Sequence, residues 1–263
     1  MTTDPLDPQT RERAAELAAG YTAGSEWLNR LGVCSGVALA VAWGGRLLAV
    51  APEGFWPATL AMTLLGALAA DLFTGLIHWG CDTWGTAEAP WVGRTLIRTF
   101  REHHVDPQSI TRHDWAEING EACLGATLAL GALHMGFPIA TDTFLVGWGL
   151  ECFIVASMFT NQLHKWAHMP RAPRLARWLQ GCRLILTPQA HRGHHTRPFA
   201  HSYCITTGWL NPLLNTIGFW RHLERVLHDR TGALPREDDL GREAAQEAHA
   251  YLFGPDTGRS LKG

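Results

Sequence analysis

What this chain lacks closes off several classes of function. It has no Cys-x-x-Cys pair: its six cysteines, at positions 34, 81, 123, 152, 182 and 204, stand singly. Neither a compact disulfide framework nor a thiolate zinc module is therefore expected, and the cysteines inside apolar runs read as small hydrophobes in a reducing setting. There is no basic excess either. A formal charge of -2 with histidine neutral offers nothing to nucleic acid. Internal repeats and low-complexity tracts are absent, and the first thirty residues carry Asp, Pro and Arg before any apolar run, so no cleavable signal peptide is expected. The Glu-x-x-His pairs of carboxylate-bridged iron bundles are missing. So is the glutamate that a helical zinc protease places directly after its first histidine, because Lys165 follows His164 and a cation cannot act as a general base.

What is present is segregated. A mean hydropathy of -0.05 averages long uncharged runs with tracts rich in Arg, His and Asp, and many of the twelve tryptophans fall at the edges of the apolar runs. Four such runs, 31–50, 55–79, 121–140 and 143–166, approach the ~20 residues that a bilayer span requires. The expected fold is all-α: an integral membrane four-helix bundle with a cytoplasmic helical cap carrying a histidine-rich di-metal site. A soluble bundle of buried helices is the alternative, disfavoured because the runs are long and nearly free of charge. Residues 1–30 read as a cytoplasmic N-terminal segment with an amphipathic helix over 10–27. Residues 31–235 read as the functional domain and 236–263 as a polar tail. Within the cap, 172–186 reads as an amphipathic segment with Trp178 at the headgroups, and 219–228 as a helix.

Orientation follows from the basic residues. Arg11, Arg13 and Arg30 precede the first run, Arg94, Arg98, Arg101 and Arg112 lie between the second and third, and Lys165, Arg171, Arg174, Arg177 and Arg183 lie at and beyond the end of the fourth. The connectors 51–54 and 141–142 are short and acidic. Both termini and the middle loop are thus expected in the cytoplasm. That topology delivers every histidine tract to one face: His78 at the end of the second span, His103, His104 and His113 in the loop, His164 and His168 at the end of the fourth span, and His191, His194 and His195 beyond it.

Imidazole is the commonest protein ligand for redox-capable iron, copper and zinc. His164 and His168 share a helix face, as do His191 and His195, and His78 and Asp82 if the second helix runs one turn past the membrane. Asp71 lies two turns before His78, ~10 Å along the axis. A carboxylate there needs a partner, and orienting a liganding imidazole is the expected one. Zinc sites need only three or four protein ligands. About nine are on offer here, enough for two metals.

The runs 71–84 (DLFTGLIHWGCDTW), 100–121 (FREHHVDPQSITRHDWAEINGE), 161–168 (NQLHKWAH) and 191–211 (HRGHHTRPFAHSYCITTGWLN) resemble the plasmanylethanolamine desaturase family over about residues 60–235. The resemblance implies a non-haem enzyme with two iron ions and O2 as co-substrate. Such an enzyme removes hydrogens from C1 and C2 of the O-alkyl chain of an ether phospholipid. It also implies an external electron donor, cytochrome b5-like or ferredoxin-like, since no cofactor-binding module is present. Carried over by position, the implied ligands are His78, His103, His104, His164, His168, His191, His194 and His195, with His113 and Asp82 in matching motifs. Against the wider acyl desaturases, Phe100 stands where a further histidine would precede His103, and His113 is the candidate to fill that place. His201 is left out, and His134, His222, His228 and His249 read as structural or surface residues. A related plant-type enzyme acting near the carboxyl end of a phospholipid acyl chain shares the framework, and the run 204–211 favours the ether enzyme. A non-catalytic membrane metal-binding protein is the reading from another class. Alanine-, glycine- and arginine-rich composition points to a bacterial inner membrane rather than the endoplasmic reticulum.

Overall fold

The computed structural model describes residues 8–19, 23–54, 56–90, 92–196, 199–237 and 241–253. Every regular element among them is helical. In chain order these are α1 (Pro8–Ala18), α2 (Ala23–Ala49), α3 (Trp56–Thr83), a π-helical turn (Gly93–Ile97), α4 (Arg98–Val105), α5 (Ser109–Arg112), α6 (Trp115–Gly136), α7 (Phe144–His168), α8 (Arg174–Gly181), α9 (Pro188–Arg192), α10 (Asn211–Thr216), α11 (Phe219–Thr231) and α12 (Arg242–Phe253).

Three of these are long and apolar enough to cross a membrane: α2 over Gly24–Leu48, α3, and α7. Only 28, 28 and 33% of their apolar windows are buried inside the protein, so most of that surface faces outward. Leu31, Val41, Leu48, Leu60, Leu64 and Val146 form part of this exposed belt, far more than a water-facing surface tolerates. The expected third span, 121–140, differs. Its helix is α6, which begins earlier and carries Glu117, Asn119 and Glu121 in its first two turns and His134 near its end. Asp114 starts it with a capping box: Oδ1 accepts from the Glu117 N–H at 2.9 Å, and the Asp114 N–H donates to Glu117 Oε2 at 2.7 Å. α6 is not among the helices of the described residues that are long and apolar enough to cross a membrane.

Packing is pairwise. α2 lies along α6, and α3 along α7. Both pairs are parallel, as residue matching shows: Gly32 meets Gly120 while Trp43 meets His134, and Gly66 meets Gly149 while His78 meets His164. Small residues permit the close approach. A Cβ at Gly66 would stand 2.7 Å from Cys152 Cβ and 2.8 Å from the Gly149 carbonyl, and one at Gly120 would stand 2.3 Å from Asn29 Cβ. Such contacts hold apolar helices together where water cannot drive them. The core between α2, α6 and α7 is Trp43, Leu47, Leu130, Phe144 and Met158 with their neighbours. α7 touches both α6 and α3, whereas α3 and α6 scarcely touch.

The N-terminal helix is shorter than the expected 10–27: α1 ends at Ala18, and Trp27 belongs to α2. α1 packs on α4, burying Leu17, whose carbonyl accepts from Arg98 Nη1 at 2.7 Å. At the far end, Arg236 is buried against Glu224 (Nη1–Oε1 3.0 Å, Nη2–Oε2 2.9 Å), and its backbone N–H donates to the Thr83 carbonyl at 2.7 Å. Removing one partner of such a buried pair typically costs about 3–5 kcal/mol, because the other charge is left unpaired. The tail beyond it holds a helix, α12, that its weak periodicity did not announce. The amphipathic segment expected over 172–186 is helical only in α8, where Ala176 is buried while Leu175 and Trp178 are exposed.

Candidate metal centre

α3 and α7 end side by side, so His78 and Asp82 from one and His164 and His168 from the other reach the same place. α4 adds His103 and His104. α9, started by Thr187 accepting from the Ala190 N–H (3.2 Å) with Pro188 in its first turn, adds His191 and leads to His194 and His195. The side chains sort into two groups whose ligand atoms lie within 4.8 Å of one another. One is His103, His164, His168, His191 and His195. The other is His78, Asp82, His104 and His194.

In the first group the Nε2 atoms converge. His164 and His191 are 2.7 Å apart, His191 and His195 2.9 Å, His103 and His195 3.1 Å, and His164 and His168 3.2 Å. A neutral imidazole carries one N–H, so these contacts cannot all be satisfied as hydrogen bonds. Ligands ~2.1 Å from a common ion and at right angles to one another stand ~3.0 Å apart, which matches the spacing seen.

In the second group Asp82 Oδ2 lies 3.0 Å from His78 Nε2, 3.2 Å from His104 Nε2 and 3.3 Å from His194 Nε2. Both carboxylate oxygens are buried, yet none of these contacts has hydrogen-bond alignment. The tautomers explain this. His78 Nδ1 lies 3.0 Å from the Tyr203 carbonyl and His194 Nδ1 3.1 Å from the His201 carbonyl. A carbonyl only accepts, so Nδ1 carries the proton in both rings and Nε2 turns a lone pair inward. Lone pairs and a carboxylate facing one another call for a cation, and this donor set fits one.

Charge state agrees. Burial, then repulsion from neighbouring imidazoles, holds His103 and His191 well below the ordinary imidazole range; the same causes lower His195. Burial pushes His194 down to about 3, with Asp82 opposing. These rings stay neutral at physiological pH, as metal ligation requires.

The remaining candidates lie elsewhere. His113 joins neither group. Its Nε2 is 3.4 Å from Glu102 Oε1 and its Nδ1 3.3 Å from Glu117 Oε2, and the hydrogen bond to Glu102 raises its pKa. Asp82, not His113, joins His78, His104 and His194 in the second group; Phe100 packs its ring 5.2 Å from that of His78. Asp71 does not orient His78. Its Oδ1 accepts from the backbone N–H groups of Thr206 (3.1 Å), Thr207 (2.8 Å) and Gly208 (3.0 Å), and its Oδ2 from that of Leu210 (3.3 Å). The expected direct contact fails because the tight turn at Gly208 (φ 73) presents a nest of N–H groups that a buried carboxylate satisfies better than one imidazole would. His134, His222 and His228 bond local carbonyls through Nδ1, as structural histidines do.

The supports were invisible in the sequence because they are backbone groups. The loop 199–211 supplies the carbonyls of His201 and Tyr203, and three side chains hold it in place. Asn211 closes it by accepting from the Cys204 N–H (3.0 Å) and donating to the Cys204 carbonyl (2.8 Å). Asn215 accepts from the Ser202 N–H (3.1 Å), and Asp71 closes the turn. The run CITTGWLN is thus a buttress behind the ligands.

Residues 67–238 match the lipid desaturase domain family. The chain is 42% identical over 252 residues to the plasmanylethanolamine desaturase of Myxococcus xanthus, covering 94% of this chain and 88% of that one. It is 42% identical over 238 residues to plasmanylethanolamine desaturase 1 of Mus musculus, covering 86% of each. Similarity to the chloroplastic fatty acid desaturase 4 of Arabidopsis thaliana is lower, 32% over 174 residues, covering 65% of this chain and 52% of that one. No solved structure matches the chain.

Proposed function

The chain belongs to the lipid desaturase family, and from that premise we propose that it converts a plasmanyl lipid to a plasmalogen, forming the vinyl ether bond between C1 and C2 of the O-alkyl chain. The observation that carries the choice of an ether over an ester substrate is the extent of its likeness to the two plasmanylethanolamine desaturases, against the lower and shorter likeness to the plant enzyme. The overall change takes the alkyl ether, O2, two electrons and two protons to the vinyl ether and two waters. Two iron ions held by the two groups would supply the chemistry that activates O2 and takes hydrogen from an unactivated carbon. The protein's own part is to fix nine donors and lock two tautomers through the Tyr203 and His201 carbonyls.

In this reading His103, His164, His168, His191 and His195 hold one iron, and His78, Asp82, His104 and His194 the other. His113 and Asp71 position the protein around them. α2, α3, α6 and α7 form a four-helix membrane bundle, with α6 crossing beside its more apolar neighbours. The positive-inside rule sets the metal groups on the cytoplasmic face of a bacterial inner membrane. Residues 31–235 carry the reaction, with 1–30 and 236–263 as flanks clasped to it at Leu17 and Arg236. Electrons come from a cytochrome b5-like or ferredoxin-like protein.

Expression in a host that contains ether lipids but lacks plasmalogens tests this reading. Acid-labile vinyl ethers are expected. A new acyl double bond with no vinyl ether would instead make the chain an acyl-lipid desaturase.

A further inference from the structure

We propose that the cleft between α3 and α6 is the slot that takes the O-alkyl chain of the substrate from the side of the bilayer, and that Gly125 and Ala129 set how long a chain it accepts. This inference rests on the ether-lipid reading above. A cavity of about 390 Å³ occupies the place where α3 and α6 fail to meet, with α7 as its back wall. Phe73 and Ile77 line it from α3, and Phe153 and Ser157 from α7. The α6 wall is a stripe of small residues, Ala122, Gly125 and Ala129, and the last two are exposed, as are Phe73 and Ile77. The cleft therefore opens sideways among the outward-facing apolar residues of α3 rather than towards the polar cap.

Its inner end is where the chemistry lies. Thr99, Phe100, Glu121 and Asn161 line this cavity and also line a smaller one of about 70 Å³, whose other walls include the ligands His103 and His164. C1 and C2 are the alkyl carbons next to the glycerol ether oxygen, so when they reach the metal groups the rest of the chain must lead away from them. The cleft follows that course. From Glu121 to Ala129 on α6, and from Asn161 back to Phe153 on α7, it runs for eight residues, ~12 Å at 1.5 Å per residue. Most of the lining is apolar, and the hydroxyls of Thr74, Thr99, Ser157 and Thr160 donate to backbone carbonyls of their own chain turns, so an alkyl chain finds chiefly apolar contact. Gly125 lines the cleft and borders open space: a Cβ there would meet no heavy atom within 4 Å, so a large side chain has room to project from it. Ala129 lies one turn deeper, ~6 Å further along.

The experiment supplies the plasmalogen-lacking host with an equimolar mixture of a short and a long 1-O-alkylglycerol, and reads both vinyl ether products by mass spectrometry. Iron content of each purified variant is measured alongside. Gly125→Phe is expected to lower the long-to-short product ratio by roughly tenfold or more, since a misfitted methylene alone is worth about that much in an apolar pocket. Ala129→Phe should lower it less. Gly131→Phe should leave it unchanged: Gly131 also has open space at its Cβ but does not line the cleft. An unchanged ratio in Gly125→Phe with iron retained, or an equal shift in Gly131→Phe, overturns the proposal. If Gly125→Phe fails to accumulate, Ala129→Phe decides alone, and an unchanged ratio there overturns it. Failure of the ether reading looks different: wild type then makes no vinyl ether at either length.

Discussion

The two metal-binding groups are held in different ways. The five-histidine group has no carboxylate and relies on helix periodicity. His164 and His168 are one turn apart on α7, His191 lies on α9 with His195 in the turn that follows it, and the Nδ1 atoms of His103, His191 and His195 are buried without a protein partner. The other group contains Asp82, and two of its rings, His78 and His194, are oriented by backbone carbonyls from one loop. The first group draws its ligands mostly from helices, whereas two rings of the second are oriented by a loop that must itself be secured. The second should therefore be the more sensitive to residues that touch no metal.

The largest effects should come from the ligands. His191→Ala and His194→Ala, one from each group, are expected to lower vinyl ether formation by more than about a hundredfold with membrane insertion intact, since losing even an outer partner costs about 10–100-fold. Retained activity in either would remove that residue from the set. Whether the groups act as separate sites is sharpened by pairing Asp82→Asn with His168→Ala: each should leave about one iron per chain, lost from its own group. If either variant emptied both groups, they would have to be treated as one cooperative unit.

An intermediate effect is expected of Asp71→Asn, which keeps the shape but loses the charge that gathers the N–H groups of Thr206, Thr207, Gly208 and Leu210. Activity should fall about 10–100-fold, with iron lost first from the Asp82 group, because that loop orients His78 and His194. Equal loss from both groups, read by spectroscopy of partly loaded protein, would contradict the assignment of the loop to one group. The smallest effect should be that of His113→Gln, within about threefold in activity with full iron content. A fall in iron would make His113 a ligand after all.

The grouping of most of the clustered histidines was suggested before folding by their spacing. The pairs 164/168 and 191/195 point to shared helix faces by themselves, and the distribution of basic residues led to the expectation of all tracts on one side. Asp82 was harder to judge, since its place hangs on α3 running to Thr83, past its apolar stretch. Asp71 was misread because its partners are backbone N–H groups of a turn 135 residues and more away, which no side-chain pattern announces. α6 was displaced for a related reason. Apolar periodicity locates a buried face, but the helix is started by the Asp114 capping box and includes two polar turns. The α3–α6 cleft has no sequence signature at all, since it is a gap left by how α7 is shared between its neighbours.

The central claim is that the histidines and Asp82 form two metal sites rather than one. Iron analysis of the purified, iron-reconstituted wild-type protein tests it most directly. Two irons per chain, falling to one in Asp82→Asn, is the result predicted; a single ion per chain, or one tightly held zinc, would contradict it.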